Sequence, residues 1–273
     1  MQRCELVTGR HRIPVVLFGE GKRCLVCVNG AQQTMNAWGS LARRFAVRAG
    51  YRVVLFDFPG QGSALTAEGG LGLIEQAELL QLVVSQVSPV APVDLCGASW
   101  GAQVAAACAA RYPALVGRLL LLSFQVRTNA RVRRVAIESL RLIELAARRE
   151  LAEHVIKEFG AGLAHKFRAA IRAQFVRLSA GQLAQAREQC ATLAAGADLR
   201  QLVDLGRISA DTLIVNGADD PLIDAADTAT TADCFPHAEL RVVRGVGHFL
   251  HLEQESVMDT YLEFVQSSLP ALT

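Results

Sequence analysis

Apolar positions in this chain of 273 residues fall into two alternating rhythms. Short apolar runs cover residues 23–28, 52–56, 93–96, 119–122, 212–216 and 240–243. Runs of this length, apolar at successive positions, predict strands buried on both faces of a parallel sheet. Between them the apolar spacing becomes helical. Residues 38–49 predict a helix capped by Gly50, residues 71–87 one that stops before Pro89, and residues 253–267 a closing helix. The start of the chain predicts a hairpin, residues 5–8 and 12–18, with Gly9 at the turn. Strands alternating with helices imply an α/β fold with a mostly parallel central sheet covered on both faces.

The alternation stops at residue 125. As far as residue 207 the chain offers no strand pattern, only Ala, Leu and Arg at helical spacing. Gly160-Ala161-Gly162 and Ser179-Ala180-Gly181 punctuate it into three or four helices. The expected organisation is a core of residues 1–124 and 208–273, with residues 125–207 inserted as a helical cap.

Composition narrows the class. Apolar residues make up 51% of the chain and the formal net charge is +2. That is ordinary for a globular protein and too mild to imply a nucleic-acid partner. Seven cysteines are odd in number and scattered, which argues for reduced thiols. Cys24-Leu25-Val26-Cys27 lies inside an apolar run with no second pair downstream, so both thiols read as core. No apolar run approaches the roughly 18 residues of a membrane span. Met1-Gln2-Arg3-Cys4-Glu5 opens without the apolar stretch of a secretory leader. A cytoplasmic location is the expectation.

The chemistry concentrates where the run Val93-Asp94-Leu95-Cys96 meets the helix predicted over residues 102–110. The joint reads Gly97-Ala98-Ser99-Trp100-Gly101. G-x-S-x-G at a strand-to-helix turn is a nucleophile elbow, a strained turn that exposes the serine hydroxyl. The competing reading is a glycine-bracketed loop with an inert serine. A serine nucleophile needs a base and a group to orient it. Of six histidines, His248 stands between Gly247 and Phe249 just after a predicted strand, where flanking glycines leave room for a mobile imidazole. His11, His154, His165, His237 and His251 read as surface residues. Asp219 and Asp220, in a loop after another strand, compete as the orienting acid. An oxyanion hole takes two backbone N–H groups. Trp100 and Ala31 are expected to supply them, with Gln32 the substitute for Ala31. Asn29, Gly30, Gln32 and Phe249 are expected to contact substrate. Asp57 and Ser63, in a glycine-rich loop, read as caps of backbone groups. Nothing in these motifs calls for a cofactor or a metal.

Taken together, these motifs resemble the α/β-hydrolase superfamily. The chain order Ser, Asp, His is the one that fold uses, and its Gly-x-x-Asp spacing singles out Asp220 over Asp219. A narrower resemblance rests on Val28-Asn29-Gly30-Ala31, Val54-Leu55-Phe56-Asp57, Ala98-Ser99-Trp100-Gly101 and Gly247-His248-Phe249-Leu250. These are similar to the bacterial 3-hydroxyacyl acyltransferase group. That group makes 3-(3-hydroxyalkanoyloxy)alkanoate, the rhamnolipid precursor, or takes 3-hydroxyacyl groups off acyl carrier protein for polyester synthesis. The resemblance implies a 3-hydroxyacyl thioester donor, an acyl-serine intermediate, and water, a thiol or a second 3-hydroxy acid as acceptor. Asp219 stands where that group carries tryptophan, and Leu222-Ile223-Asp224 also departs from it.

Arg127, Arg131, Arg133, Arg134, Arg141, Arg148 and Arg149 crowd the first part of the cap. They form either a dock for an acyl carrier protein or coenzyme A, or a solvated face with pairs such as Glu144 and Arg148. The functional expectation is a serine acyltransferase or thioesterase acting as monomer or homodimer. The alternatives are a carboxylesterase or lactonase and a non-catalytic ligand-binding homologue.

Overall fold

The chain's structure is a computed structural model that describes residues 1–64, 70–89 and 91–267. Residues 65–69, 90 and 268–273, which the expected core segments include, lie outside the described residues. Eight strands form one sheet: β1 (Gln2–Thr8), β2 (His11–Phe18), β3 (Arg23–Val28), β4 (Tyr51–Phe56), β5 (Val93–Ala98), β6 (Val116–Leu122), β7 (Asp211–Gly217) and β8 (Ala238–Val243). Their spatial order is β1-β2-β4-β3-β5-β6-β7-β8. β2 pairs antiparallel with β1 and β4, and every later pairing is parallel.

The two faces of the sheet follow from the period-two alternation of strand side chains. On β3, Cys24, Val26 and Val28 join the core on one face and Leu25 and Cys27 the core on the other. The first face is covered by α2 (Leu73–Val87) and α3 (Trp100–Arg111), the second by α1 (Gly39–Arg48) and α10 (Val257–Ser267). α3 presents a run of alanines that is buried throughout, which lets this helix lie close on the strands. The sequence places each strand correctly to within three residues at either end. One expected helix is split. The closing helix begins as α9 (Leu250–Glu253), breaks where Gln254 turns extended (φ −139°), and resumes as α10. The short helix α8 (Ala225–Thr231) was not anticipated; its sequence of Ala, Asp and Thr carries no apolar stripe.

Four helices stand between β6 and β7: α4 (Ala130–Glu144), α5 (Arg148–Phe159), α6 (His165–Val176) and α7 (Ala180–Ala194). The Asn129 side chain accepts from the N–H groups of Arg131 and Val132 and so caps α4. Ser179 and Gln182 form a capping box at the start of α7. Leu142, Leu151, Ala152, Phe175 and Leu178 make a small apolar core among these helices. The expected Glu144–Arg148 pair does not form. The chain turns at Ala146 (φ +51°), so the two residues belong to different helices. All seven cysteines are free thiols, and Cys24, Cys27, Cys96 and Cys108 are buried. Among the described residues no helix is long and apolar enough to cross a membrane.

Candidate active site

β5 ends at Ala98, α3 begins at Trp100, and Ser99 between them sits at φ 52°, ψ −117°. L-residues rarely adopt such a positive φ, and it persists only where the surroundings enforce it. Here the Ser99 N–H donates to Leu122 O at 2.8 Å, and Ser99 O accepts from the N–H of Ala102 at 2.9 Å. The flanking glycines are steric necessities. A Cβ on Gly97 would lie 2.4 Å from Gly101 O, and one on Gly101 would lie 2.3 Å from Val28 O.

His248 follows β8, and its Nδ1 stands 2.7 Å from Asp220 Oδ2. Their side chains are 7% and 0% exposed. The other oxygen, Asp220 Oδ1, accepts from Leu222 N at 2.9 Å. Asp219 points to solvent, so the choice between the two acids is settled in favour of contact by Asp220. The imidazole and its loop are contacted from several elements. The rings of Phe159 and Phe249 pack edge-on against it at 5.4 and 5.6 Å. Ser123 Oγ donates to His248 O at 2.6 Å. Glu253 accepts from the N–H groups of Gly247 at 2.7 Å and Phe249 at 2.9 Å, fixing the loop on both sides of the histidine. Burial alone would lower the His248 pKa. The Asp220 charge and hydrogen bond, with a smaller contribution from Glu253, outweigh it and raise the pKa above the ordinary histidine value.

The loop after β3 carries the other expected donors. Ala31, Gln32 and Trp100 line the same cavity as Ser99 and His248. Trp100 is the first residue of α3, so its N–H is one of the unpaired donors at a helix N-terminus. Gly30 and Gln33 close a tight turn, with Gln33 N donating to Gly30 O and Gly30 N to Gln33 Oε1, both at 3.1 Å. Asn29 is corrected. It is 1% exposed and does not reach the cavity. Its Nδ2 donates to Phe56 O and Asp57 Oδ1 at 3.0 Å, and its Oδ1 accepts from Trp38 Nε1 at 2.9 Å. Asn29 therefore braces the loop and stands outside the cavity lining, against the expectation. Asp57 is the structural cap expected of it, accepting also from Met35 N and Ser63 N.

The cavity measures about 420 Å³. Ser99 and His248 both line it, and α4 to α7 supply about half of the remaining wall. That wall is apolar, through residues such as Val135, Ile143, Leu151, Val155, Ile171 and Phe175. Among the described lining residues no Lys, Arg, Asp or Glu reaches the space; the titratable groups are His248 and the Cys190 thiol, which burial pushes up to about 12. Gly30, Gln32 and Phe249 line it as expected.

His251 is a second correction. It is buried, not at the surface. It stacks on Trp38 at 5.0 Å, its Nε2 lies 3.3 Å from Ala37 O, and burial pulls its pKa down to about 4. The cap arginines are largely committed. Arg127 pairs with Asp227, Arg131 with Glu158, Arg141 with Glu138, and Arg133 donates to Ala194 O. Among the described residues no group of three or more His, Cys, Asp or Glu is placed to hold a metal.

Sequence reasoning missed Ser123, Glu253 and Phe159. Glu253 left a faint signal, an acid five residues beyond the histidine at the end of the short helix α9. The other two depend on contacts between distant segments.

Comparison with known proteins agrees with this architecture. A hydrolase of Escherichia coli (strain K12 / DH10B), named for 2-hydroxy-6-oxononadienedioate and 2-hydroxy-6-oxononatrienedioate, is 33% identical over 107 residues. That stretch covers 38% of this chain and only 37% of the relative, so the match spans little more than a third of that enzyme's length. An α/β hydrolase enzyme from a Medee basin deep-sea metagenome library superposes with a TM-score of 0.85 at 17% identity, covering 99% of this chain and 100% of the other. The enol-lactonase from Burkholderia xenovorans LB400 superposes with a TM-score of 0.80 at 20% identity, over 96% of this chain and 99% of the other. At these identities the two structures speak for the fold alone. The alpha/beta hydrolase family itself matches residues 25–260, and the chain belongs to that family.

Proposed function

We propose that the protein is a serine acyl-transfer enzyme whose donor is a neutral acyl thioester of the 3-hydroxyacyl class. One observation carries the reading. A serine held at positive φ between strand and helix opens onto the same largely apolar cavity as a buried histidine hydrogen-bonded to a buried aspartate.

His248 Nδ1 is engaged by Asp220, which leaves Nε2 as the nitrogen that takes the Ser99 proton. Ser99 Oγ then bonds to the acyl carbon. The carbonyl oxygen becomes an oxyanion held by the N–H groups of Trp100 and Ala31, each worth about 3 kcal/mol in comparable holes. As the C–S bond breaks, the thiolate takes the proton from His248. Water, a thiol or a second 3-hydroxy acid repeats the sequence in reverse and frees Ser99. Asp220 holds the imidazole in the required tautomer and stabilises its charged form.

The cavity wall supports a neutral acyl group. The name of the E. coli relative denotes a dioate, whose distal carboxylate would need a cationic or strongly polar partner. The described lining provides no Lys or Arg, so a hydrocarbon tail among α4, α5 and α6 suits it better. The carrier portion, acyl carrier protein or coenzyme A, stays outside this space. Of the cap arginines, Arg134 and Arg149 are exposed and form no ion pair among the described residues, which leaves them available to a phosphate or an acidic carrier.

Intact-mass spectrometry after mixing with 3-hydroxyacyl thioesters tests the reading. An adduct of one acyl group that disappears in Ser99→Ala is the expected result. Thioester turnover that survives Ser99→Ala overturns it. Faster turnover of simple oxoesters or lactones than of thioesters replaces the donor class while keeping the chemistry.

A further inference from the structure

We propose that Gln103 and Gln125 form a polar subsite that holds a neutral hydroxyl of the acyl chain beside the reacting carbonyl. The inference rests on the serine acyl-transfer reading and assigns the residues that select its substrate.

Both glutamines are more than nine-tenths buried, at 8% and 6% exposure, and both line the cavity. Glutamine is mostly a surface residue, and a buried amide without partners costs on the order of 1–3 kcal/mol. The other buried glutamines each make at least one side-chain hydrogen bond, although Gln61 Oε1, Gln76 Nε2 and Gln189 Nε2 are left without a partner. Gln76 accepts from Trp100 Nε1, and Gln185 bonds both backbone groups of Leu71. The Gln103 side chain makes no hydrogen bond to any described residue. The Gln125 Oε1 accepts from Asn129 Nδ2 at 3.1 Å, which orients the amide and leaves its Nε2 without a described partner. Thr128 Oγ1 is a further buried lining atom without a hydrogen-bond partner.

Both line the cavity that Ser99 and His248 line. Gln103 lies one helical turn beyond Ser99, its backbone N–H donating to Ser99 O at 3.2 Å. Gln125 lies two residues beyond Ser123, which holds the His248 carbonyl. Gln103 is thus tied through its backbone to the serine, and Gln125 is close in the chain to the residue that holds the histidine.

The free groups specify the ligand. Gln103 supplies one acceptor and a donor, and Gln125 supplies another donor. A hydroxyl, which donates once and accepts, satisfies one group of each kind. A carboxylate only accepts and brings a charge that no described lining cation offsets. A plain alkyl chain leaves the Gln103 amide and the Gln125 Nε2 desolvated and unpaired. Sites built to bond a substrate hydroxyl discriminate strongly against the analogue lacking it, for that reason.

The test compares matched coenzyme A thioesters of equal chain length, 3-hydroxyacyl and unsubstituted, on the wild type, Gln103→Leu, Gln103→Met and Gln125→Leu. The readout is the ratio of kcat/KM for the two substrates, which does not depend on the fraction of protein that folds. The wild type is expected to favour the hydroxyacyl substrate at least tenfold, and each variant to lose most of that ratio. A wild-type ratio near unity, or a ratio unchanged in the variants, overturns the subsite. If a variant does not fold at all, calorimetric binding of the free 3-hydroxy acid and its unsubstituted analogue to Ser99→Ala decides the matter: equal affinity rejects the proposal. Turnover of the unsubstituted thioester that persists in Ser99→Ala would instead signal failure of the acyl-serine reading.

Discussion

Gln174, on α6, donates its Nε2–H to the backbone carbonyl of Gln32 at 2.6 Å. A second bond runs the other way, from Gln32 Nε2 to Gln189 Oε1 on α7 at 3.0 Å. Gln32 itself sits at φ +58°, so the loop beside Ala31 is strained and is held by residues more than 140 positions away. Helices that line the cavity therefore also hold the loop proposed to offer an oxyanion donor.

Cutting that tie should show in the chemical step. Gln174→Leu leaves the Gln32 carbonyl without its partner and removes a bond of about 1 kcal/mol. The expected result is a fall in kcat of roughly fivefold to tenfold, smaller than the hundredfold or more of losing an oxyanion donor outright. KM should move little. Steady-state kinetics would measure both, and an unchanged kcat would mean the loop holds its shape without α6.

The pH profile follows from the His248 environment. The base must be neutral to accept the Ser99 proton, so kcat/KM should rise with pH, and its midpoint should lie above the ordinary histidine value of about 6.5. Replacing Asp220 by Asn removes the charge that opposes burial. Burial then dominates, and the midpoint should drop below that value while kcat falls on the order of 10⁴-fold. The stability linkage has a definite sign. With its folded pKa raised, His248 contributes stability below pH about 6.5 that is lost as pH rises through the folded value. A pH–rate series on both proteins would decide it; a midpoint that does not move in Asp220→Asn would show that some other group sets the limb.

Much of this was legible in the chain because the signals are local. Strands buried on both faces must be apolar at every position, so β3 to β7 announce themselves. The elbow is legible because Gly97 and Gly101 have backbone oxygens within 2.4 Å of where a Cβ would stand, a constraint that no other residue type meets. What stayed hidden depends on long-range packing. Asn29 sits in the expected loop, yet its amide is consumed by Phe56, Asp57 and Trp38, so a residue adjacent to the cavity faces away from it. His251 looked like a surface residue because nothing local shows that Trp38 stacks on it. The Gln32 tie to α6 and α7 crosses most of the chain, and no spacing rule anticipates it.

His251 makes a separate prediction about acid stability. Its pKa is pulled down to about 4 in the folded state, against about 6.5 in an unfolded chain. The unfolded state therefore binds the proton first as pH falls. The resulting loss of stability opens below pH about 6.5, grows with each unit, and levels off near 3 kcal/mol below pH about 4. His251→Phe keeps an aromatic ring against Trp38 and cannot titrate. It should cost about 1 kcal/mol at neutral pH through the lost bond to Ala37 O, and should narrow that gap or reverse it by pH 4.5. Urea unfolding at pH 7.5 and pH 4.5 gives both numbers. A difference between the two proteins that stays constant across this range would show that His251 titrates normally.

Ser99 should carry a cost in stability that its removal reveals. At φ 52° the Cβ of any L-residue crowds the backbone, by an amount of order 1–3 kcal/mol, and only the elbow's chemistry needs a side chain there. Glycine takes such a conformation at far less expense, although it adds freedom to the unfolded chain. Ser99→Gly should therefore be inactive and about 1 kcal/mol more stable, a rise of roughly 2–4 °C in Tm for a chain of this size. Ser99→Ala separates the two contributions, since it removes the hydroxyl and keeps the Cβ. Its Tm should stay near that of the wild type. Thermal unfolding of the three proteins side by side reads the strain directly: a gain shared equally by Ala and Gly would place the cost in the hydroxyl, and a gain seen only with Gly places it in the backbone.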